Sequence, residues 1–121
     1  MIQRLNHIAI ICSSMSSVAF YEALGFEVTS KIIRAEAHDT VITMEGNGVF
    51  LKIFIDSTHP ARVTNPEAYG LRHLAFAVKD LEKCIHRLER YKPEAIKKDL
   101  SGKSFTFVKD PDGQPFELRE E

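Results

Sequence analysis

Cysteine is scarce in this chain: Cys12 and Cys84 are the only two in 121 residues. Neither belongs to a CxxC pair or stands at the close Cys/His spacing of a zinc finger, which excludes a disulfide framework and a finger-type zinc site. Each reads as a small buried hydrophobe. No apolar run reaches the roughly 18 residues that would span a bilayer, which excludes a membrane partner. The opening MIQRLNHIAII lacks the basic, apolar and small-residue order of a secretory leader. A reducing cytoplasm is the expected location. Charge of one sign is missing as well. Sixteen basic residues face 17 acidic ones for a formal net charge of −1, and Lys97-Lys98 is the only basic cluster. Nothing therefore points to a nucleic-acid partner. The GNG at 46–48 is too short for a phosphate loop and opens no helix.

What is present is an ordinary globular balance, 44% apolar and 27% charged, on a chain long enough to bury about two-thirds of its unfolded surface. Two apolar stretches each carry a histidine: LNHIAIIC (5–12) and LRHLAFAV (71–78). At an offset of 66 positions Leu5, His7 and Ala9 fall on Leu71, His73 and Ala75. The agreement continues downstream. SSMSSVAFYEALGF offers serines to cap a helix, apolar positions at Val18, Ala19, Tyr21 and Leu24, and Gly25 as a stop. Its counterpart DLEKCIHRLERYKP starts from Asp80 as N-cap, buries Leu81, Cys84, Ile85 and Leu88, and ends before Pro93. Strands are predicted near 27–34, 39–45 and 48–55, and again near 94–99, 104–109 and 114–119. EGNG (45–48) and DPDG (110–113) supply matching hairpin turns, and at an offset of 65 Gly48 maps onto Gly113 and Lys52 onto Glu117.

Each half therefore reads β-α-β-β-β. The expected organisation is an α+β domain of two tandem modules, about 4–55 and about 71–119, joined by a polar segment at 56–70 that prolines interrupt twice. A lone module of about 55 residues is marginal, so the halves are expected to pack together or against those of a second chain.

Strand alternation sets the facing of the candidate functional residues. His7 shares a face with Leu5, Ala9 and Ile11; His73 shares one with Leu71, Ala75 and Ala77. Small alanines beside each imidazole suggest a concave surface with room above it. Glu117, between Phe116 and Leu118, points where a carboxylate is costly unless paired, protonated or bound to a cation. Singly, each has an ordinary structural explanation. Two histidines at repeat-equivalent positions with one carboxylate form a sufficient set for a divalent cation with open positions. Arg34 and Lys103 read as solvated, and His38, His59 and His86 have no repeat partner.

The stretches LNHIAIICSSMSSVAFYEALGF, GLRHLAFAVKDLE and FTFVKDPDGQPFEL resemble the vicinal oxygen chelate superfamily, which includes glyoxalase I, fosfomycin-resistance thiol transferases, methylmalonyl-CoA epimerase and extradiol dioxygenases. The resemblance covers nearly the whole chain, with the short bacterial glyoxalase-like proteins the nearest in character. It implies paired modules, usually in a homodimer, curling around a divalent metal ion (zinc, nickel, manganese or iron). It also implies ligands from the first and last strands of each module. His7, His73 and Glu117 occupy three of those positions. Lys52 stands at the fourth, where glyoxalase I carries a glutamate.

A protonated lysine repels a cation, so three readings follow. The site uses only His7, His73 and Glu117, with Lys52 holding an anionic group of the substrate; or Lys52 pairs with Glu117 in a metal-free binding pocket; or the strand register differs and Lys52 lies on the rim. The leading expectation is a metal-dependent, glyoxalase-like lyase or isomerase acting on a small oxygenated, anionic substrate, with Glu117 also able to carry a proton. Strict glyoxalase I activity is weakened by Lys52. The alternatives are a metal-free small-molecule binding protein, against which the absence of tryptophan and 9% aromatic content count, and a thiol transferase.

Overall fold

The computed structural model describes all residues, Met1–Glu121. They form two compact units, Met1–Pro60 and Ala61–Glu121. The first runs β1 (Ile8–Cys12), α1 (Ser16–Ala23), β2 (Glu27–Arg34), β3 (Asp39–Gly46), β4 (Val49–Ile55). The second runs β5 (Leu74–Val78), α2 (Leu81–Arg87), a 3₁₀ turn (Glu89–Tyr91), β6 (Lys97–Lys98), β7 (Ser104–Lys109), β8 (Pro115–Glu120). Each unit holds one four-stranded mixed sheet, ordered β1-β4-β3-β2 and β5-β8-β7-β6. The expected α+β class with two βαβββ modules is what the chain adopts. None of its helices is long and apolar enough to cross a membrane.

In the first unit the alternation of β1 buries Ile10 and Cys12 and leaves Ala9 and Ile11 exposed. Leu51 and Ile53 of β4, with Ile42 and Met44 of β3, make the floor on which α1 lays Val18, Phe20 and Tyr21. The buried stripe of α1 differs from the expected one: Phe20 and Ser17 are inside and Ala19 is exposed. A helix of eight residues fixes its phase only loosely through periodicity, and one large ring outweighs an alanine in buried area. The cap differs too. Met15 holds the N-cap position without a side-chain bond, while Ser14 Oγ accepts from the Ser16 amide at 3.3 Å. The stop falls as expected, with the Gly25 amide still donating to Glu22 O at 2.9 Å. Gly46, at the end of β3, has no substitute: a Cβ there would stand 3.0 Å from both Gly25 O and Phe26 Cδ1.

In the second unit Phe116 and Leu118 of β8, Thr106 and Val108 of β7, and Leu81 and Leu88 form the core. Phe76 of β5 stacks on Phe116 with centroids 5.9 Å apart. Asp80 caps α2 as expected, its Oδ1 accepting from the Lys83 amide at 3.1 Å. Glu120 Oε2 takes the Leu81 amide at 2.8 Å and ties the helix start to β8. β6 is shorter than predicted. Thr106 Oγ1 donates to Glu94 O, so a side chain meets that backbone group in place of a ladder bond. The two hairpins also fail to match. Asn47 and Gly48, at φ 48° and 82°, make the two-residue type I′ connection between Gly46 and Val49. The β7–β8 connection spans 110–114 and is organised by Asp110 Oδ1, which accepts from the Asp112 and Gln114 amides at 2.9 Å each. Residues 61–70, polar and proline-bearing, are bonded into this unit. Arg62 donates to Gln114 Oε1 at 2.9 Å, Arg72 O at 2.9 Å and Leu71 O at 3.3 Å.

Candidate metal and substrate site

The candidate residues of the second unit meet on the side of its sheet opposite the hydrocarbon core. Because Phe116 and Leu118 point inward, Glu117 and Arg119 point to the other face. There the register sets Ala75 and Phe107 against Glu117, and Ala77 and Phe105 against Arg119. His73 immediately precedes β5 and turns its ring edge to Phe107, centroids 5.0 Å apart. Its Nε2 lies 3.2 Å from Glu117 Oε1. His73 and Glu117 are thus brought together, with side chains 23% and 11% exposed.

Arg119 completes the group. Its Nη1 donates to Glu117 Oε2 at 2.6 Å, its Nη2 donates to Asp99 Oδ2, and its guanidinium lies over the Phe105 ring at 5.3 Å. The two carboxylates raise the arginine pKa further above its ordinary value. Asp99 sits in a tight turn where its Oδ1 accepts from Ser101 Oγ at 2.7 Å, the Ser101 amide at 2.9 Å and the Lys103 amide at 3.0 Å. The Ser101 hydroxyl, then the Lys103 amide, with a further contribution from Arg119, hold the Asp99 carboxyl down at about 2. Neither Arg119 nor Asp99 was marked by any sequence motif. Their only signal is two unexplained charges in strand-adjacent positions 20 residues apart.

The Asp99 pKa has a consequence for stability. A carboxylate held below its ordinary value stabilises the fold at pH above that value, and this contribution is lost as pH falls towards about 2. Asp99→Asn should therefore be less stable than the unaltered protein at neutral pH. The gap should close between about pH 4 and about pH 2. Urea unfolding at stepped pH measures this; a gap independent of pH would contradict it.

Two imidazoles stand in different hydrogen-bonding states. His7 Nδ1 donates to Asn6 Oδ1 at 2.8 Å, which leaves Nε2 with a free lone pair. At His73 the neighbour is a donor, Arg72 Nη1 at 3.3 Å from Nδ1, so Nδ1 accepts and Nε2 carries the proton towards Glu117. Arg72 is itself paired with Glu67 at 2.9 Å.

Lys52 lies in β4 between Leu51 and Ile53, half-buried and on the face opposite the core. Its register partners are Ala9 and Thr43. The pairing Ala9–Lys52 in the first unit is the pairing Ala75–Glu117 in the second. The lysine therefore occupies in one module the strand position that the carboxylate occupies in the other. A cavity of about 330 Å³ is lined by Phe107 and Arg72, both of which also contact His73, although neither His73 nor Glu117 lines it. Arg62, Arg72, Lys97 and Lys109 line it against Glu67 and Glu94.

The fold agrees with what the chain is similar to. The profile of the Glyoxalase/Bleomycin resistance protein/Dioxygenase superfamily matches residues 4–118, and the chain belongs to this superfamily. It is 42% identical to the uncharacterized protein YwkD of Bacillus subtilis (strain 168), covering 100% of this chain and 99% of that one. It is 41% identical to the uncharacterized protein YaeR of Escherichia coli (strain K12), over 99% and 98%. The crystal structure of the glyoxalase family protein from Enterococcus faecalis superposes with a TM-score of 0.89 at 41% identity, covering 98% of each chain.

Proposed function

We propose that this protein is a divalent-metal-dependent, glyoxalase-like lyase or isomerase acting on a small oxygenated, anionic substrate. The observation that carries the reading is the His73–Glu117 pair on the sheet face opposite the core, with Ala75 on one side of Glu117 and Phe107 on the other. A nitrogen and an oxygen 3.2 Å apart suit adjacent positions on one ion at about 2.0–2.2 Å from each. His7, at the repeat-equivalent position and with Nε2 free, is the third proposed ligand. A divalent ion on the His73–Glu117 pair would supply Lewis acidity to a substrate bearing adjacent oxygens. The chain's own residues bind and orient. The cavity that shares Phe107 and Arg72 with the surroundings of His73 has two more cations than carboxylates in its lining, which supports a substrate with an acidic group. Lys52, with no carboxylate partner of its own, is proposed to hold an anionic group. Glu117 is proposed as ligand through Oε1; acting on a proton as well requires an oxygen free of Arg119. A cytoplasmic location and a homodimer belong to the same proposal.

Elemental analysis of protein purified without chelators tests it. About one zinc, nickel, manganese or iron ion per chain is expected, removable by chelation and restored by adding the metal. Content far below that, unchanged by added metal, overturns the reading.

One observation favours a second reading, a metal-free small-molecule binding protein. Arg119 already compensates the Glu117 charge, and Arg72 holds His73 in the tautomer whose Nε2 is protonated. An ion must displace that proton and turn Arg72 away, since a liganding imidazole ordinarily donates its other N–H to an acceptor.

A further inference from the structure

We infer that Arg119 is a positioning residue that fixes Glu117 as a one-oxygen ligand and withdraws the second oxygen from both metal binding and proton transfer. The inference rests on the metal-dependent reading above and narrows the part Glu117 plays in it. A carboxylate on a strand can turn about its terminal bond and offer an ion one oxygen, both, or neither. Here that freedom is removed. Oε2 is taken by a charge-assisted bond of 2.6 Å from Arg119, among the short and strong kind, and this leaves Oε1 directed at His73 Nε2.

The clamp works only if the arginine is itself immobile, and three contacts make it so. Its second terminal nitrogen is bound to Asp99, its plane lies over Phe105, and its strand position is set by the Phe105–Arg119 register. Asp99 cannot follow the arginine outward, because its other oxygen receives three donors from Ser101 and Lys103. A turn between β6 and β7 thus reaches the candidate metal through Asp99, Arg119 and Glu117 in sequence. The effect is geometric: removing Arg119 frees Oε2 to join Oε1 on the ion.

The test uses the full chain loaded to saturation with Co²⁺, whose visible bands weaken as coordination number rises because geometry governs them. Arg119→Met should still bind Co²⁺, with band intensity at saturation lowered as Glu117 becomes a two-oxygen ligand and the coordination number rises. Arg119→Lys, which keeps a donor for Oε2, should restore the unaltered spectrum. Asp99→Asn, which leaves Arg119 in place but loosens its anchor, should move the spectrum part of the way and stands in if Arg119→Met does not fold. Unaltered bands in both Arg119→Met and Asp99→Asn overturn the inference while leaving the metal reading intact. Failure of the unaltered protein to take up Co²⁺ at all overturns both.

Discussion

His73→Ala is expected to weaken binding of a divalent ion by at least ~100-fold, since even a residue behind a ligand is worth about 10- to 100-fold. The same substitution should cost the fold only about 1 kcal/mol. What it removes structurally is an edge-to-face ring contact with Phe107, worth about 0.5–1.5 kcal/mol, together with the part-exposed contacts of its ring nitrogens to Glu117 and Arg72. Glu117 is not stranded by the change, because Arg119 still holds its other oxygen. Loss of metal is therefore separable from loss of structure. Metal titration and urea unfolding on the same preparation measure the two. Equal metal content in variant and unaltered protein would remove His73 from the ligand set.

Phe116→Ala should do the reverse, costing about 4 kcal/mol of folding stability without touching a candidate ligand. Phe116 is fully buried and stacks on Phe76 with planes 11° apart. Truncation gives up both its transfer from water and the packing around the void it leaves. Against a total of about 5–15 kcal/mol for a domain, this is a large fraction. The urea midpoint should fall with the slope of unfolding unchanged. A loss under about 1 kcal/mol would mean the β5–β8 core closes around the gap.

The parts of the fold legible in the sequence were those encoded by local rules. Alternation gave the inward residues of β1 and β8; Asp80 and the Asn47-Gly48 pair announced a cap and a turn. The repeat carried the register as far as the Lys52–Glu117 correspondence, which the strand pairing reproduces. Where local rules are weak the structure departs from the pattern. The eight-residue α1 buries Phe20 and exposes Ala19, a phase that its short periodic pattern does not fix. The DPDG turn shares only its glycine with EGNG, because Asp110 organises a wider loop.

The candidate site was half legible. His73 and Glu117 stood out because polar residues in apolar strands need an explanation. Arg119, Asp99 and Arg72 did not, because their roles come from distant partners. Arg119 meets Asp99 across 20 residues of chain, and nothing in a single sequence marks that pairing. The tautomer of His73 likewise depends on which way one neighbouring guanidinium turns.

Along β4 and along β8, the side chains that hold the strand and the side chains that could do chemistry take alternate places. Leu51 and Ile53 anchor one strand as Phe116 and Leu118 anchor the other, and the residue between them answers to a different constraint. A duplicated ancestor could exchange acid for base at that address in one copy without renegotiating its hydrocarbon contacts. Diversification of such a scaffold is cheap for this reason: mutation can rewrite its reagents while its architecture stays still.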